Sequence, residues 1–105
     1  MATVFVDAEN VRRSVWPNIP RDELVPLCEA WAEAAGHAVV VVFESDVTAD
    51  DWIAGHAHEH RPYWLVTSDR ELRRRAGAAA ERIVGGGTFA RELRRRPAQG
   101  ASTCS

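Results

Sequence analysis

Val39-Val40-Val41-Val42-Phe43 is a run of five successive β-formers with no polar residue among them. A strand that is apolar on every position, rather than on alternate ones, is expected in a parallel sheet covered on both faces. Upstream, Leu24, Leu27, Cys28, Trp31 and Ala35 follow the i, i+3, i+4, i+7 spacing, which predicts a helix over Arg21–Ala35 stopped by Gly36. Pro26 is expected in the first turn of that helix, or to shorten it, because it cannot donate an interior hydrogen bond. Downstream, Thr48 opens a second helical stretch, T-A-D-D-W-I-A-G-H-A-H-E-H, which must end before Pro62.

Further out, Thr3–Val6 closed by Asp7 and Tyr63–Thr67 read as strands, with Arg82–Val84 a shorter one. Asn10–Val15 is expected to form one or two helical turns. Ser68–Ala80 reads as a helix with a Ser68-to-Glu71 capping box, Gly85–Gly87 as a turn and Thr88–Arg96 as a last helix. Strand and helix alternate with short connections. The expected fold class is therefore α/β, a three-layer α/β/α sandwich around a small parallel, doubly wound sheet of about four strands. Residues 1–96 form one expected domain, and 97–105, small and polar, an expected flexible tail.

Composition narrows the function classes. Of the 105 residues 46% are hydrophobic and 27% charged, which is the balance of a globular domain rather than a disordered or fibrous chain. No apolar run approaches the length of a membrane span, and Met1–Asn10 lacks the basic start of a secretory signal, so a cytoplasmic protein without membrane contact is expected. Cys28 and Cys104 have no zinc-like or C-x-x-C spacing. Cys28 is expected as a buried thiol. Residues 1–60 hold eleven acids and three arginines, whereas 61–105 hold four acids and ten arginines, and lysine is absent. An acidic half joined to a basic half suits a molecule that binds both a cation and a polyanion, although solvated helix faces give the same tally.

Ligands of open α/β sheets bind outside the carboxyl ends of the strands, at the switch point. Asp7 ends the first strand, Glu44 and Asp46 follow the second, Asp50 and Asp51 open the next helix, and Asp69 follows the third strand. Converging carboxylates repel unless a cation neutralises them, and carboxylates with open water positions suit Mg²⁺ or Mn²⁺. Asp50, Asp51 and Asp69 also sit where carboxylates cap helices, a role each can fill alone. Asp7 has no such reason to close an apolar strand, apart from starting an Asx-turn. Helical spacing puts Asp50 on the side of Ile53, Ala54 and Ala57, with Asp51 about 100° further round.

Taken together, V-D-A-E-N at 6–10, T-A-D-D-W-I at 48–53 and V-T-S-D-R-E-L at 66–72 resemble the PIN-like nucleases, and within them the NYN and YacP-like branch. That family's first strand ends in D-x-x-N, its middle helix carries A-D-D-x-I and a later strand ends in T/S-S/N-D, in the order found here. The resemblance extends from about Thr3 to Leu93, where I-V-G-G-G-T-F-A-R-E-L resembles the family's last strand and helix. Only Glu44–Val47 separates the valine run from T-A-D-D, where many YacP-like members insert a longer stretch, so this chain resembles a minimal version.

The resemblance implies a metal-dependent endoribonuclease that hydrolyses phosphodiester bonds with Mg²⁺ or Mn²⁺. Asp7, Asp50 and Asp69 match its metal-binding carboxylates, Asn10 the residue that orients the pocket or the scissile phosphate, and Asp51 the second acid of the D-D pair. Arg12, Arg13, Ser68, Arg70 and Arg73, with the rest of the Arg73–Arg75 run, are expected to hold flanking phosphates of RNA, single-stranded for preference. Trp16, Tyr63 and Trp64 are candidates for base stacking or for packing. Pairing into a homodimer is an expectation from the family.

Competing assignments fit less well. His56 and His60 share a helix face, but Ala57 stands where H-E-x-x-H needs Glu, so a solvated helix end is expected. Receiver-type and D-x-D phosphate chemistry need a lysine that the chain lacks. Gly85–Gly87 is followed by no G-K-[ST]. Two alternatives to the nuclease stay open: a non-catalytic nucleic-acid-binding or interaction module of the same fold, and the nuclease partner of a toxin–antitoxin pair with a small protein over the pocket.

Overall fold

The computed structural model describes residues 1–95; the expectations for Arg96 and for 97–105 lie outside the described residues. Strands β1 (Thr3–Asp7), β2 (Ala38–Val42), β3 (Tyr63–Val66) and β4 (Arg82–Val84) form one sheet in the order β2-β1-β3-β4. Every pairing is parallel, with Val4 opposite both Val39 and Trp64. The helices are α1 (Ala8–Arg13), α2 (Arg21–Ala35), α3 (Ala49–His56), α4 (Arg70–Ala76) and α5 (Gly86–Arg95), with a 3₁₀ turn at Ala57–His60.

Alternation along the strands divides the core in two. Val4, Val6 and Val66 pack with α1, α2 and α5 through Val11, Leu24, Cys28, Trp31, Phe89 and Leu93. Phe5 and Leu65 pack with α3 and α4 through Ile53, Leu72 and Ala76. Helices on both faces of a parallel sheet are compatible with a three-layer sandwich. The chain leaves β1 towards β2 on one side and later returns to β3 on the other, so the switch point lies between β1 and β3. Among the described residues no helix is long and apolar enough to cross a membrane.

Several local expectations are corrected. The valine strand covers Ala38–Val42 and is only half-buried over Ala38–Val41, because it is an edge strand with a partner on one side alone. The first helix is Ala8–Arg13, starting directly after Asp7. Pro26 neither opens nor shortens α2; it is exposed in the second turn, where water can take the carbonyl that lacks its donor. Gly36 ends α2 as expected, at φ 80°, a conformation in which a side chain is strained.

The helix expected from Ser68 begins at Arg70 and ends at Ala76. Its cap is Asp69, whose Oδ1 accepts the N–H groups of Glu71 at 2.8 Å and Leu72 at 3.1 Å, and the Ser68-to-Glu71 box does not form. Ser68 is occupied elsewhere: its Oγ accepts the Gly86 N–H at 2.8 Å. Gly86 and Gly87 are not a turn but the first residues of α5.

Cys28 is buried, and burial pushes its thiol up to about 12, so it is inert at neutral pH. Among the three aromatic candidates, Tyr63 is core and donates its hydroxyl to the Ala76 carbonyl at 2.6 Å. Trp64 is half-buried and Trp16 is 87% exposed. His56 stacks on Trp52 at the exposed end of α3.

Candidate functional site

Because β1 and β3 are parallel neighbours with Val6 opposite Val66, their last residues emerge side by side. Asp7 follows Val6 and Thr67 follows Val66. The Thr67 hydroxyl donates to Asp7 Oδ2 at 2.9 Å and its oxygen accepts the Asp69 N–H at 3.1 Å. One fully buried hydroxyl thus ties the two acids together. Sequence reasoning missed Thr67. Its signal was a hydroxyl at the end of the apolar run Y-W-L-V, directly before Ser68-Asp69.

A cleft of about 340 Å³ opens over this junction, lined by Asp7, Glu9, Asn10, Arg13, Ser14, Glu44 and Asp69. Asp7 is 8% exposed. Burial pushes its carboxyl above the ordinary range, and the nearby charges of Asp69 and Asp50 push the same way, against the Thr67 hydroxyl and the Asn10 backbone N–H. An acid so placed prefers to be neutral or to have a cation beside it. Glu9 is different: burial raises it, but Arg12 and Arg21 more than reverse that and leave it below its ordinary value.

Asn10 braces the cleft. Its Oδ1 accepts the Ser68 N–H at 2.9 Å, joining the β1–α1 junction to the β3–α4 junction. The start of α5 closes on the same atom: a Cβ on Gly86 would run into Asn10 Oδ1, so a larger residue there would push the Asn10 amide off the Ser68 N–H. Gly86 was not among the expected site residues, and its three-glycine setting pointed only to a turn.

The remaining candidates separate. Arg13 lines the cleft, and Arg70, in the first turn of α4, is exposed. Arg12 is taken up by Glu9 at 2.6 Å and the Ile19 carbonyl at 3.0 Å, and Arg73 Nε donates to the Thr67 carbonyl at 3.0 Å. Asp50 is half-buried and Asp51 exposed in the first turn of α3, capped by Thr48. Neither lines the cleft; both pair with Arg75, Asp51 at 2.7 Å and Asp50 at 3.7 Å.

Among the described residues no three His, Cys, Asp or Glu side chains stand together as a ready metal cluster. The donor set of the cleft still fits a small hard cation. Mg²⁺ keeps several waters and needs only one or two carboxylates, which Asp7 and Asp69 supply with Glu44 on the wall. Asp69 serves two ends, since Oδ1 caps α4 while Oδ2 makes none of the capping bonds. Asp69→Asn keeps an acceptor for the cap and is expected to change stability by a few tenths of a kcal/mol, whereas Asp69→Ala is expected to cost about 1 kcal/mol. Urea unfolding of both variants checks this; equal losses would show that the carboxylate does not cap. No family model matches the chain, and no curated protein or solved structure matches it.

Proposed function

We propose that the chain is a PIN-like, metal-dependent ribonuclease that hydrolyses phosphodiester bonds of single-stranded RNA at the Asp7–Asp69 cleft. The observation that carries this reading is the meeting of Asp7, at the end of β1, and Asp69, just past β3, in one cleft at the sheet's switch point, where the Thr67 hydroxyl links the Asp7 carboxylate to the Asp69 backbone N–H. Asp7 and Asp69 would hold Mg²⁺ or Mn²⁺. Such an ion, when bound, offsets phosphate charge and lowers the pKa of a water. Asn10, its carbonyl oxygen already engaged, has amide donors to offer a phosphate oxygen. Arg13 and Arg70 would hold the flanking phosphates, a grip that is electrostatic and indifferent to sequence. Buried Thr67 positions the acids, and Arg73 holds the strand end through its Nε bond to the Thr67 carbonyl.

A second reading has one observation in its favour. The lack of a three-carboxylate cluster among the described residues suits a nucleic-acid-binding module without hydrolysis. Single-stranded RNA incubated with the protein and Mg²⁺ separates the two. The nuclease reading expects cleavage products that vanish on chelation and return with added Mg²⁺ or Mn²⁺. RNA retained equally with and without chelator, and never cut, would establish the module instead.

A further inference from the structure

We propose that the junction between β4 and α5 holds one nucleotide of the RNA strand. Its phosphate sits over Gly85, among Arg73, Ser68 and Thr88, and its base enters the aromatic hollow beside Trp64 and Phe89. The site adjoins the cleft, since Ser68 stands between Thr67 and Asp69 and Gly86 packs against the Asn10 amide. Its assignment to a strand rests on the reading of the Asp7–Asp69 cleft, whereas nucleotide binding itself needs neither metal nor cleavage.

The phosphate half is built from side chains that converge on one open point. A Cβ on Gly85 would stand 3.5 Å from Arg73 Nη2, 3.6 Å from Ser68 Oγ and 3.8 Å from Thr88 Oγ1. Two residues on, a Cβ on Gly87 would meet Arg91 Nη1 at 3.3 Å. Arg73 Nε is fixed on the Thr67 carbonyl, which leaves the rest of its fork over the junction. Ser68 Oγ accepts the Gly86 N–H and still has its own proton to give. Among the described residues Arg73 and Arg91 have no carboxylate partner, whereas Arg12, Arg13, Arg21, Arg74, Arg75 and Arg95 each have one. Two uncompensated guanidiniums and two hydroxyls match the charge and the oxygens of a phosphate.

The base half is a separate hollow of about 280 Å³ that shares Thr88 with the phosphate seat. Its walls include Trp31, Trp64, Phe89 and Arg82. Trp31 meets Phe89 edge-on at 4.9 Å and lies 6.2 Å from Trp64, whose Nε1–H is held by Glu81 at 3.0 Å. The Arg82 guanidinium lies over the Trp64 ring, 4.8 Å from its centre. Aromatic rings and guanidinium planes are the surfaces on which unstacked bases lie, and such stacking serves any base. An apolar peptide side chain would fill the hollow but leave Arg73 and Arg91 without a partner. A nucleotide engages both halves.

The test follows amide and indole NMR signals of the ¹⁵N-labelled full chain, with chelator present, as adenosine 5′-monophosphate or inorganic phosphate is added. The nucleotide is expected to shift Gly85, Gly87, Thr88 and the Trp64 indole together, and to bind at least about fivefold more tightly than inorganic phosphate. Gly85→Ala puts a methyl into the seat at ordinary contact distances and without a positive φ, so the fold is expected to be unchanged. Nucleotide affinity in that variant is expected to fall roughly tenfold. Arg91→Gln is expected to weaken nucleotide and phosphate alike, and a short single-stranded RNA to displace the nucleotide. Parent affinity in Gly85→Ala overturns the inference. So does inorganic phosphate that binds as tightly as the nucleotide, or RNA that leaves the nucleotide in place. If the nucleotide binds as expected and RNA is never cut, the nuclease reading fails alone. If RNA is cut with Mg²⁺ while the nucleotide does not bind, the nucleotide site fails alone.

Discussion

Asp7→Asn is expected to lower Mg²⁺-dependent cleavage of single-stranded RNA by at least about 100-fold, since loss of a group that merely supports a ligand already costs about 10- to 100-fold. The same variant is expected to be more stable than its parent at neutral pH without divalent ions. Burial, with Asp69 and Asp50 nearby, holds the Asp7 carboxyl above its ordinary value. A group with a raised folded-state pKa favours folding below its unfolded pKa, and that contribution is lost as pH rises through the folded value. Above it the buried charge is a burden, which asparagine removes while still accepting from Thr67. The stability advantage should therefore shrink as pH falls towards the unfolded carboxylate pKa of about 3.9.

Adding Mg²⁺ should reverse the order. Ligand at 100 times its dissociation constant stabilises the parent by about 2.7 kcal/mol, and Asp7→Asn should gain little of this. Thermal unfolding with and without Mg²⁺, between pH 4 and 8, reads both effects. A variant that cuts RNA at the parent's rate would remove Asp7 from the site. One that is less stable at neutral pH without metal would refute the burial argument.

Phe5→Ala should be the most damaging change to the fold. Phe5 is fully buried on β1, a central strand, where its ring meets Trp52, His60 and Tyr63 at centroid distances of 6.2, 5.5 and 5.9 Å. Truncation leaves a cavity beneath α3 and α4 and is expected to cost about 3–5 kcal/mol. Against a total of about 5–15 kcal/mol, that leaves a marginal protein or an unfolded one. Trp16→Ala removes a larger ring but one that is 87% exposed, and should stay within about 0.5 kcal/mol of the parent. Urea midpoints at constant slope measure both. A loss below 1 kcal/mol for Phe5→Ala would mean that this half of the core repacks freely.

Much of the architecture was legible because it rests on local pattern. Arg21–Ala35 carries a helical stripe closed by Gly36, and its bounds are those observed. The Thr48 hydroxyl oxygen accepts the Asp51 N–H at 3.3 Å, as a capping residue at a helix start should. Alternation of strand and helix implied a parallel sheet, and the sheet is parallel throughout. The misplaced start of α4 has a long-range cause. Ser68 and Asp69 are both fit to cap, and the choice was made by Gly86, which reaches Ser68 from 18 residues away. The valine run looked like a central strand because local apolarity does not tell an edge from a middle.

The order of residues along the chain therefore determined which segments are strands and helices, that they build a parallel sheet, that Asp7 ends a strand and that Asp69 follows one. The tertiary structure alone decided that Thr67 links Asp7 to Asp69, that Asn10 and Gly86 lock the rim, and that Asp50 and Asp51 pair with Arg75 instead of lining the cleft. Periodicity and capping act over a few residues and can be read from a window of sequence. A hydrogen bond across 60 residues, such as Thr67 to Asp7, depends on strand register and helix packing, which exist only once the core has formed.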